Sequence, residues 1–352
     1  MSKFIQLHLL TSYPPSNVNR DDLGRPKTAM MGGFERLRIS SQSLKRHWRT
    51  SDMFENALSD YIGTRTKRFG VQIYDVFIEK GVKEKSALEW ASEIAKVFGK
   101  GKTASKENPR DVLLIEQLAH ISPNEISDVM QLVDTLATEN RAPEKEELAL
   151  LKKQHRSVDI ALFGRMLASS PEYDVEAACQ VAHALSVHSV EVESDYFTAI
   201  DDLNTNTGDN RGSAHIDEGN FSAAVFYSYL CINKSLLIEN LDGNEELANR
   251  AIQALTEAAA KVTPKGKQNS FASRAYASYI RAEIGEQQPR SLSVAFLKPV
   301  NGDNHIEEAI QRLEQQVDHF DKVYGKCYND EGVINAFNGE GQFDKLREFV
   351  TR

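Results

Sequence analysis

The sequence lacks any apolar run long enough to cross a bilayer, and it carries only three cysteines among 352 residues. It also has none of the short signatures that mark phosphate loops, dinucleotide folds, nucleophile elbows or zinc proteases. Each absence excludes something. A spanning helix needs about 20 consecutive apolar residues, and the opening "FIQLHLL" is broken by Gln6 and His8, so it reads as a strand and not as a signal peptide. Cys179, Cys231 and Cys327 lie far apart, outside any CxxC, which predicts reduced thiols in a cytoplasmic protein with no membrane partner. The nine histidines show no ligand spacing, and His183 and His188 read as core or surface residues. Asp21–Asp22 and Asp201–Asp202 are the suggestive carboxylate pairs, but adjacent acids in a loop or strand diverge, so a shared metal would need ligands from elsewhere. No catalytic residue, metal or cofactor is expected.

Positive charge is also scarce, with 42 Lys and Arg against 51 Asp and Glu. A generic polyanion binder is therefore unexpected, unless the basic residues collect on one face. They do collect in sequence. Residues 18–49 carry eight basic side chains (Arg20, Arg25, Lys27, Arg36, Arg38, Lys45, Arg46, Arg49) and three acidic ones, a local +5 in a chain of −9, which leaves −14 for the rest. "FERLRIS" (34–40) alternates like a strand, with Leu37 and Ile39 on one side and Arg36, Arg38 and Ser40 on the other. "SQSLKRHWR" follows as a serine-capped helix, with Ser41, Lys45 and Arg49 sharing a face, Gln42 bordering it, and Leu44 and Trp48 turned to the core. A strand followed by an open helix N-terminus, with cations and hydroxyls on both, is what phosphate contacts need. The competing reading is a solvated amphipathic helix that pairs with the acidic remainder.

Elsewhere the pattern predicts a mixed α+β sheet interrupted by helices. Helical spacing runs through "SALEWASEIAKVFG", "RDVLLIEQLAHI", "SPNEISDVMQLVDTLA" and "EKEELALLKKQ". The third has Ser122 as cap, Pro123 in the first turn and Glu125 completing a capping box, ahead of an apolar face of Ile126, Val129, Met130, Val133 and Leu136. Strand texture returns at 178–192 and 221–233, joined by a polar segment that predicts a projecting hairpin. Helices are expected over 245–262 and 306–325, and further strands in "SFASRAYASYIRAE" and "SLSVAFLKPV".

"NRDD", "GGFERLRISSQSLKR", "VDIALFGRM", "SDYFTAIDDL", "GSAH" and "FSAAVFYSYLCIN" occur in that order between about residues 18 and 233. This series resembles the backbone subunit of the type I-E CRISPR Cascade, the CasC-type family; the likeness thins over 52–155 and beyond 265. The resemblance implies an α+β fold: a modified RRM-like (ferredoxin-like) palm from 1–55 and 176–352, a helical fingers insertion at 56–175, and an extended thumb hairpin at 193–222. It implies a non-catalytic subunit that polymerises head to tail with other copies of itself along a CRISPR RNA, kinks the guide at regular intervals and leaves it exposed to pair with target DNA, alongside other Cascade subunits. The protein would then hold backbone while base pairing reads sequence. Carried over residue by residue, the RNA contacts would be Arg20, Lys27, Ser40, Gln42, Lys45, Arg46 and Arg49. Met166 would act as a wedge with Arg165 beside it, and Leu203 in the thumb would complete the kink. Without the resemblance, Met166 reads as a core methionine. The Lys-rich link at 99–106 is a possible DNA contact and the basic segment 265–281 a possible second RNA surface. Two other readings stand beside this one: a metal-dependent RNase relative acting through Asp201 or Asp202, and an unrelated enzyme with a basic substrate pocket.

Overall fold

A computed structural model describes residues 2–105, 108–153, 156–199 and 215–352. The protein is mixed α+β, with a large, mainly antiparallel sheet and eleven α-helices among the described residues. The strands are β1 (Phe4–Ser16), β2 (Thr28–Met31), β3 (Phe34–Ile39), β4 (Thr64–Thr66), β5 (Ala119–Ile121), β6 (Cys179–Val181), β7 (Ala184–Ser186), β8 (Glu193–Ala199), β9 (His215–Asn233), β10 (Ala277–Gly285) and β11 (Asp330–Asn335). The main sheet runs β11-β10-β1-β9-β7-β3-β2, with β6 and β8 also pairing to β9, while β4 and β5 form a separate ribbon.

Two compact units divide the chain: residues 1–54, 181–231 and 252–352 in the first, residues 55–180 and 232–251 in the second. Residues 232–251 thus belong to the second unit. In the first unit β1 is central and covered on both faces, which is why "FIQLHLL" reads as a nearly continuous apolar run. The helix His305–Tyr324 lays Ala309, Leu313 and Val317 on a core built with Leu10, Val225, Tyr227 and Tyr279. The second unit has its own core, in which Phe69, Phe77, Trp90, Ile94, Val129, Val133 and Leu136 are buried together.

The polar breaks in β1 are buried too. His8 takes a 2.8 Å hydrogen bond between its Nδ1 and the Tyr227 hydroxyl, and Gln6 Oε1 accepts from the Arg290 N–H and the Tyr229 hydroxyl. Glu283 on β10 binds Arg281 and Arg290; burial alone would raise its pKa, but His8 and Arg290 beside it hold its carboxyl far below the ordinary range. His8 lies 3.7 Å from Glu283, yet its pKa is lowered, because burial outweighs the carboxylate and Arg290 and Arg281 oppose a second charge. His188 stacks on His305 at 4.2 Å between ring centroids, its Nε2 accepts from the Val225 N–H, and burial, His305 and Arg36 lower its pKa as well. Both imidazoles therefore resist protonation in the fold. Above their ordinary pKa of 6.5 neither state is charged and nothing is lost. Below it the unfolded chain takes up protons that the folded chain refuses, so stability falls, by up to about 1.4 kcal/mol per pH unit for each proton. The urea midpoint is expected to drop clearly from pH 7.5 to pH 5.5; an unchanged midpoint would show that these histidines are not buried as neutral groups.

Several sequence expectations are corrected. "RDVLLIEQLAHI" is not a helix: Pro109–Leu113 forms a 3-10 turn and Ala119–Ile121 becomes β5, pairing with β4. "EKEELALLKKQ" is a series of turns among the described residues, held where Arg141 clamps Glu147 bidentately. "SLSVAFLKPV" is a 3-10 turn over Ser293–Phe296; its buried residues Leu292, Phe296 and Val300 fall at helical rather than alternating spacing. The helix Phe69–Glu79 and strand β11 were not anticipated.

Candidate nucleic-acid interface

In the first unit the basic stretch is organised around Asn19. Its side-chain oxygen accepts from the Ser40 N–H at 2.9 Å and its carbonyl accepts from the Lys27 N–H at 2.8 Å, tying the loop after β1 to the start of the following helix. Inside that loop Asp21 Oδ1 accepts from the N–H groups of Leu23 and Arg25, so this acid shapes a turn. Arg20 is exposed and Lys27 half-buried. Between β2 and β3 the hairpin turns on Gly32 and Gly33, both at positive φ, the combination a type I′ turn requires. A side chain at Gly32 would also meet the Leu297 carbonyl at 1.9 Å.

The helix Ser41–Arg49 follows directly. Ser40 is its cap, accepting from the Ser43 N–H at 3.3 Å. Leu44 and Trp48 are buried, as expected from their spacing. Gln42 and Arg46 are exposed, and Lys45 and Arg49 are half-buried. Arg46, His47 and Arg49 sit in the last turn, where the helix dipole favours cations. Ser40 itself is nearly covered and its hydroxyl is engaged by the cap, so its part in this surface is to open the helix.

His183 was missed. Its Nδ1 accepts from both Arg38 Nη1 and the Ser41 N–H, each at 3.3 Å, which places it at the N-terminus of the basic helix. Burial, Arg38 and Lys27 lower its pKa. No spacing in the sequence links positions 38, 41 and 183; only the β3–β7 pairing joins them. Arg36 corrects the alternation argument. It is fully buried, donating to the carbonyls of Ser186 at 3.0 Å and Phe296 at 2.9 Å, so it braces the sheet and adds nothing to a surface track.

Of the 265–281 segment, Lys265, Arg274 and Tyr276 line a cavity of about 340 Å³ together with Ser51, Asp52 and Met53, just past the basic helix. Lys265 is close enough to lower the pKa of His47, after burial and beside Arg46. Arg281 belongs instead to the buried network with Glu283 and Glu314.

In the second unit "VDIALFGRM" is the helix Val158–Phe163, closed by Gly164 at φ +81° and followed by a loop pinned at its base by Arg165↔Val175 pairing. Asp159 is completely buried and accepts from His120 Nε2 at 2.7 Å, from the Ser157 hydroxyl at 2.8 Å and from the Gly63 N–H at 2.9 Å. These partners, His120 foremost, outweigh burial and lower its pKa to about 2. The Ser157 hydroxyl donates to the carboxylate. Arg165 is held inside the second unit. Its side chain is 1% exposed; Nη1 sits 2.8 and 2.9 Å from the two Glu125 oxygens, and Nη2 donates to the carbonyls of Lys152 and Tyr173. These partners engage its guanidinium within the fold of the second unit. Met166, next in sequence, is 84% exposed, which excludes the core-methionine reading.

The hairpin β8–β9 pairs from Glu193↔Phe221 to Ala199↔His215, and exposes Tyr196 and Phe197. Leu203, Asp201 and Asp202 lie outside the described residues. Among the described residues no group of three or more His, Cys, Asp or Glu is placed to hold a metal ion, and no helix is long and apolar enough to cross a membrane.

The first unit thus carries a basic, serine-capped helix on an α+β sheet, and the second unit carries a loop with an exposed methionine. The chain belongs to the CT1975-like protein family, whose model matches residues 5–348. It is similar to a chain of a solved "CRISPR RNA-guided surveillance complex, pre-nicking", 30% identical with a TM-score of 0.85 over 99% of both chains. It is also similar to a chain of a "CRISPR RNA-guided surveillance complex", 25% identical with a TM-score of 0.63 over 99% of this chain and 98% of that one. No curated protein matches it.

Proposed function

We propose that this protein is a non-catalytic backbone subunit of a type I-E CRISPR surveillance complex, which binds CRISPR RNA and polymerises along it head to tail. The observation that carries the reading is the end-to-end likeness to a chain of an RNA-guided complex, at 99% coverage both ways. Arg20, Lys27, Gln42, Lys45, Arg46 and Arg49 supply cations and amides to guide phosphates, with Ser40 opening the helix toward them. Met166 unstacks guide bases at each kink, an apolar wedge of the kind that bends nucleic acid elsewhere. The intervening guide pairs with target DNA, so base pairing supplies specificity. Other subunits of the complex cap the filament.

Co-expression with the partner subunits and a CRISPR array tests this. The expected result is a large, multi-copy peak on size exclusion with a nucleic-acid-like A260/A280 ratio and one discrete RNA length. A monomer with a protein-like ratio overturns the reading. Cleavage of complementary RNA in Mg²⁺ that disappears in Asp202→Ala would overturn the non-catalytic part.

A further inference from the structure

The first unit holds a cavity of about 650 Å³, where the chain leaving β10 meets the end of the helix His305–Tyr324. Cavities of about 300–1,000 Å³ accept small organic molecules. Its apolar wall is Phe320, Tyr324 and Pro289. The two rings pair edge to face at 6.1 Å between centroids, and Tyr324 is 82% exposed, so most of its ring is open to a ligand. Gln287, Gln288, Arg290 and Lys326 supply the polar wall, so the charged residues that line the cavity are both cations. Neither Glu283 nor Asp321, the acids beside Arg290, lines it: Glu283 is fully buried, and Asp321 accepts from the Tyr328 hydroxyl at 2.6 Å. Arg290 gives Nη1 and Nη2 to Glu283, while its Nε is buried with no partner. A residue lining the cavity thus carries a donor that the fold leaves unsatisfied. Lys326 sits 5.3 Å over the Tyr328 ring and makes no ion pair among the described residues.

We propose that this cavity is a binding site for a small aromatic monoanion of the aryl carboxylate class, whose ring lies against Tyr324 and Phe320 and whose charge is met by Lys326, with Arg290 in support. Two features choose this class. Open rings with cations beside them suit a ligand that has a flat apolar body and an anionic end. The charge is single because the 20-residue helix ends on the same cavity, at Tyr324 and Gly325, and the negative pole of its dipole opposes a phosphate dianion. The cavity shares no residue with the basic stretch 18–49, and the proposal stands whether or not the chain carries a guide RNA.

The test titrates the full-length chain with anilinonaphthalene sulfonate, a fluorescent aromatic monoanion, and in parallel with phenylnaphthylamine, the same rings without the sulfonate. The charged probe is expected to bind more tightly than the neutral one. Lys326→Gln should weaken the charged probe about fivefold or more and leave the neutral one within about twofold, whereas Tyr324→Ala should weaken both. Both side chains are exposed, so an unchanged melting curve is expected for each variant. Naphthoate should displace the charged probe, and adenosine monophosphate, a dianion, should not. Cys327 gives a second readout, because it lines the cavity while Cys179 and Cys231 are buried. Burial pushes its thiol up, so it is labelled with N-ethylmaleimide at about pH 8.5, and naphthoate should slow that labelling several-fold. Unchanged affinity of Lys326→Gln for the charged probe, or labelling that naphthoate does not slow, overturns the proposal. Displacement by adenosine monophosphate as strong as by naphthoate overturns the choice of a monoanion. If joining other subunits protects Cys327 with no small molecule present, the cavity is a protein contact and the proposal fails as well.

Discussion

Changing Lys45 and Arg49 together to alanine is expected to lower guide-RNA affinity by about 10- to 100-fold at 0.15 M salt. Charge-assisted hydrogen bonds contribute about 1.5–3 kcal/mol each, and 1.4 kcal/mol is a factor of ten. Two full contacts would sum to about 3–6 kcal/mol, and the expected loss is set below that because both side chains are half-buried, already interact within the fold and are screened by solvent. The slope of log K against log salt should flatten by about 1.4, since each phosphate contact to a single strand contributes roughly 0.7. The fold should hold. Leu44 and Trp48 carry the packing of this helix, Ser40 caps it, and alanine is the best helix former at both positions. Ser40→Ala is the contrasting change: it removes the cap, costs about 1 kcal/mol of stability, and weakens RNA binding only through the helix start. Filter binding from 50 to 500 mM salt, beside thermal melting, separates the two. Full-strength RNA binding by the double variant would mean that residues 40–49 are not the track.

What could be read in the sequence was local. The capping box at Ser122 and Glu125 formed as its spacing predicted, with Ser122 accepting from the Glu125 N–H and the Glu125 carboxylate reaching back. Leu44 and Trp48 turned inward because a helix face repeats every three to four residues. What could not be read was tertiary. Alternation put Arg36 on the same side as Arg38, and that parity is real, but it does not say which side is covered; the turn at Ser293–Phe296 covers Arg36 and leaves Arg38 near His183. "RDVLLIEQLAHI" has helical spacing and still forms a turn and a strand, because β4 offers it a ladder across more than fifty residues of sequence. At the candidate interface, the cations of the helix were legible as a run, whereas His183 needed the pairing of β3 with β7 to reach them.

Arg165 and Met166 are neighbours in one motif, and they should fail in opposite ways. Arg165→Met keeps much of the side-chain volume and leaves the Glu125 carboxylate buried at 0% exposure without its cation. Ser122 and the Lys152 N–H still donate to it, but an uncompensated buried charge costs about 3–5 kcal/mol. The carboxylate also anchors the capping box of Pro123–Glu139, so the loss should extend to that helix and to the core where Val129, Val133 and Leu136 sit. Urea unfolding of the full chain should show a large drop in midpoint, and Glu125→Gln should drop it as well, since an amide nitrogen cannot replace either of the two oxygens that Arg165 Nη1 spans. Met166→Ala removes an exposed side chain and should leave stability within about 0.5 kcal/mol. Its effect belongs on the RNA: total guide affinity within a few-fold, because phosphate contacts dominate it, but loss of the regular spacing of hypersensitive positions in a nuclease footprint of the assembled complex. A stable Arg165→Met chain that fails to bind RNA would make Arg165 a contact. A destabilised Met166→Ala chain with a normal footprint would make the methionine a packing residue, and the wedge would have to be sought elsewhere, with Leu203 the next candidate.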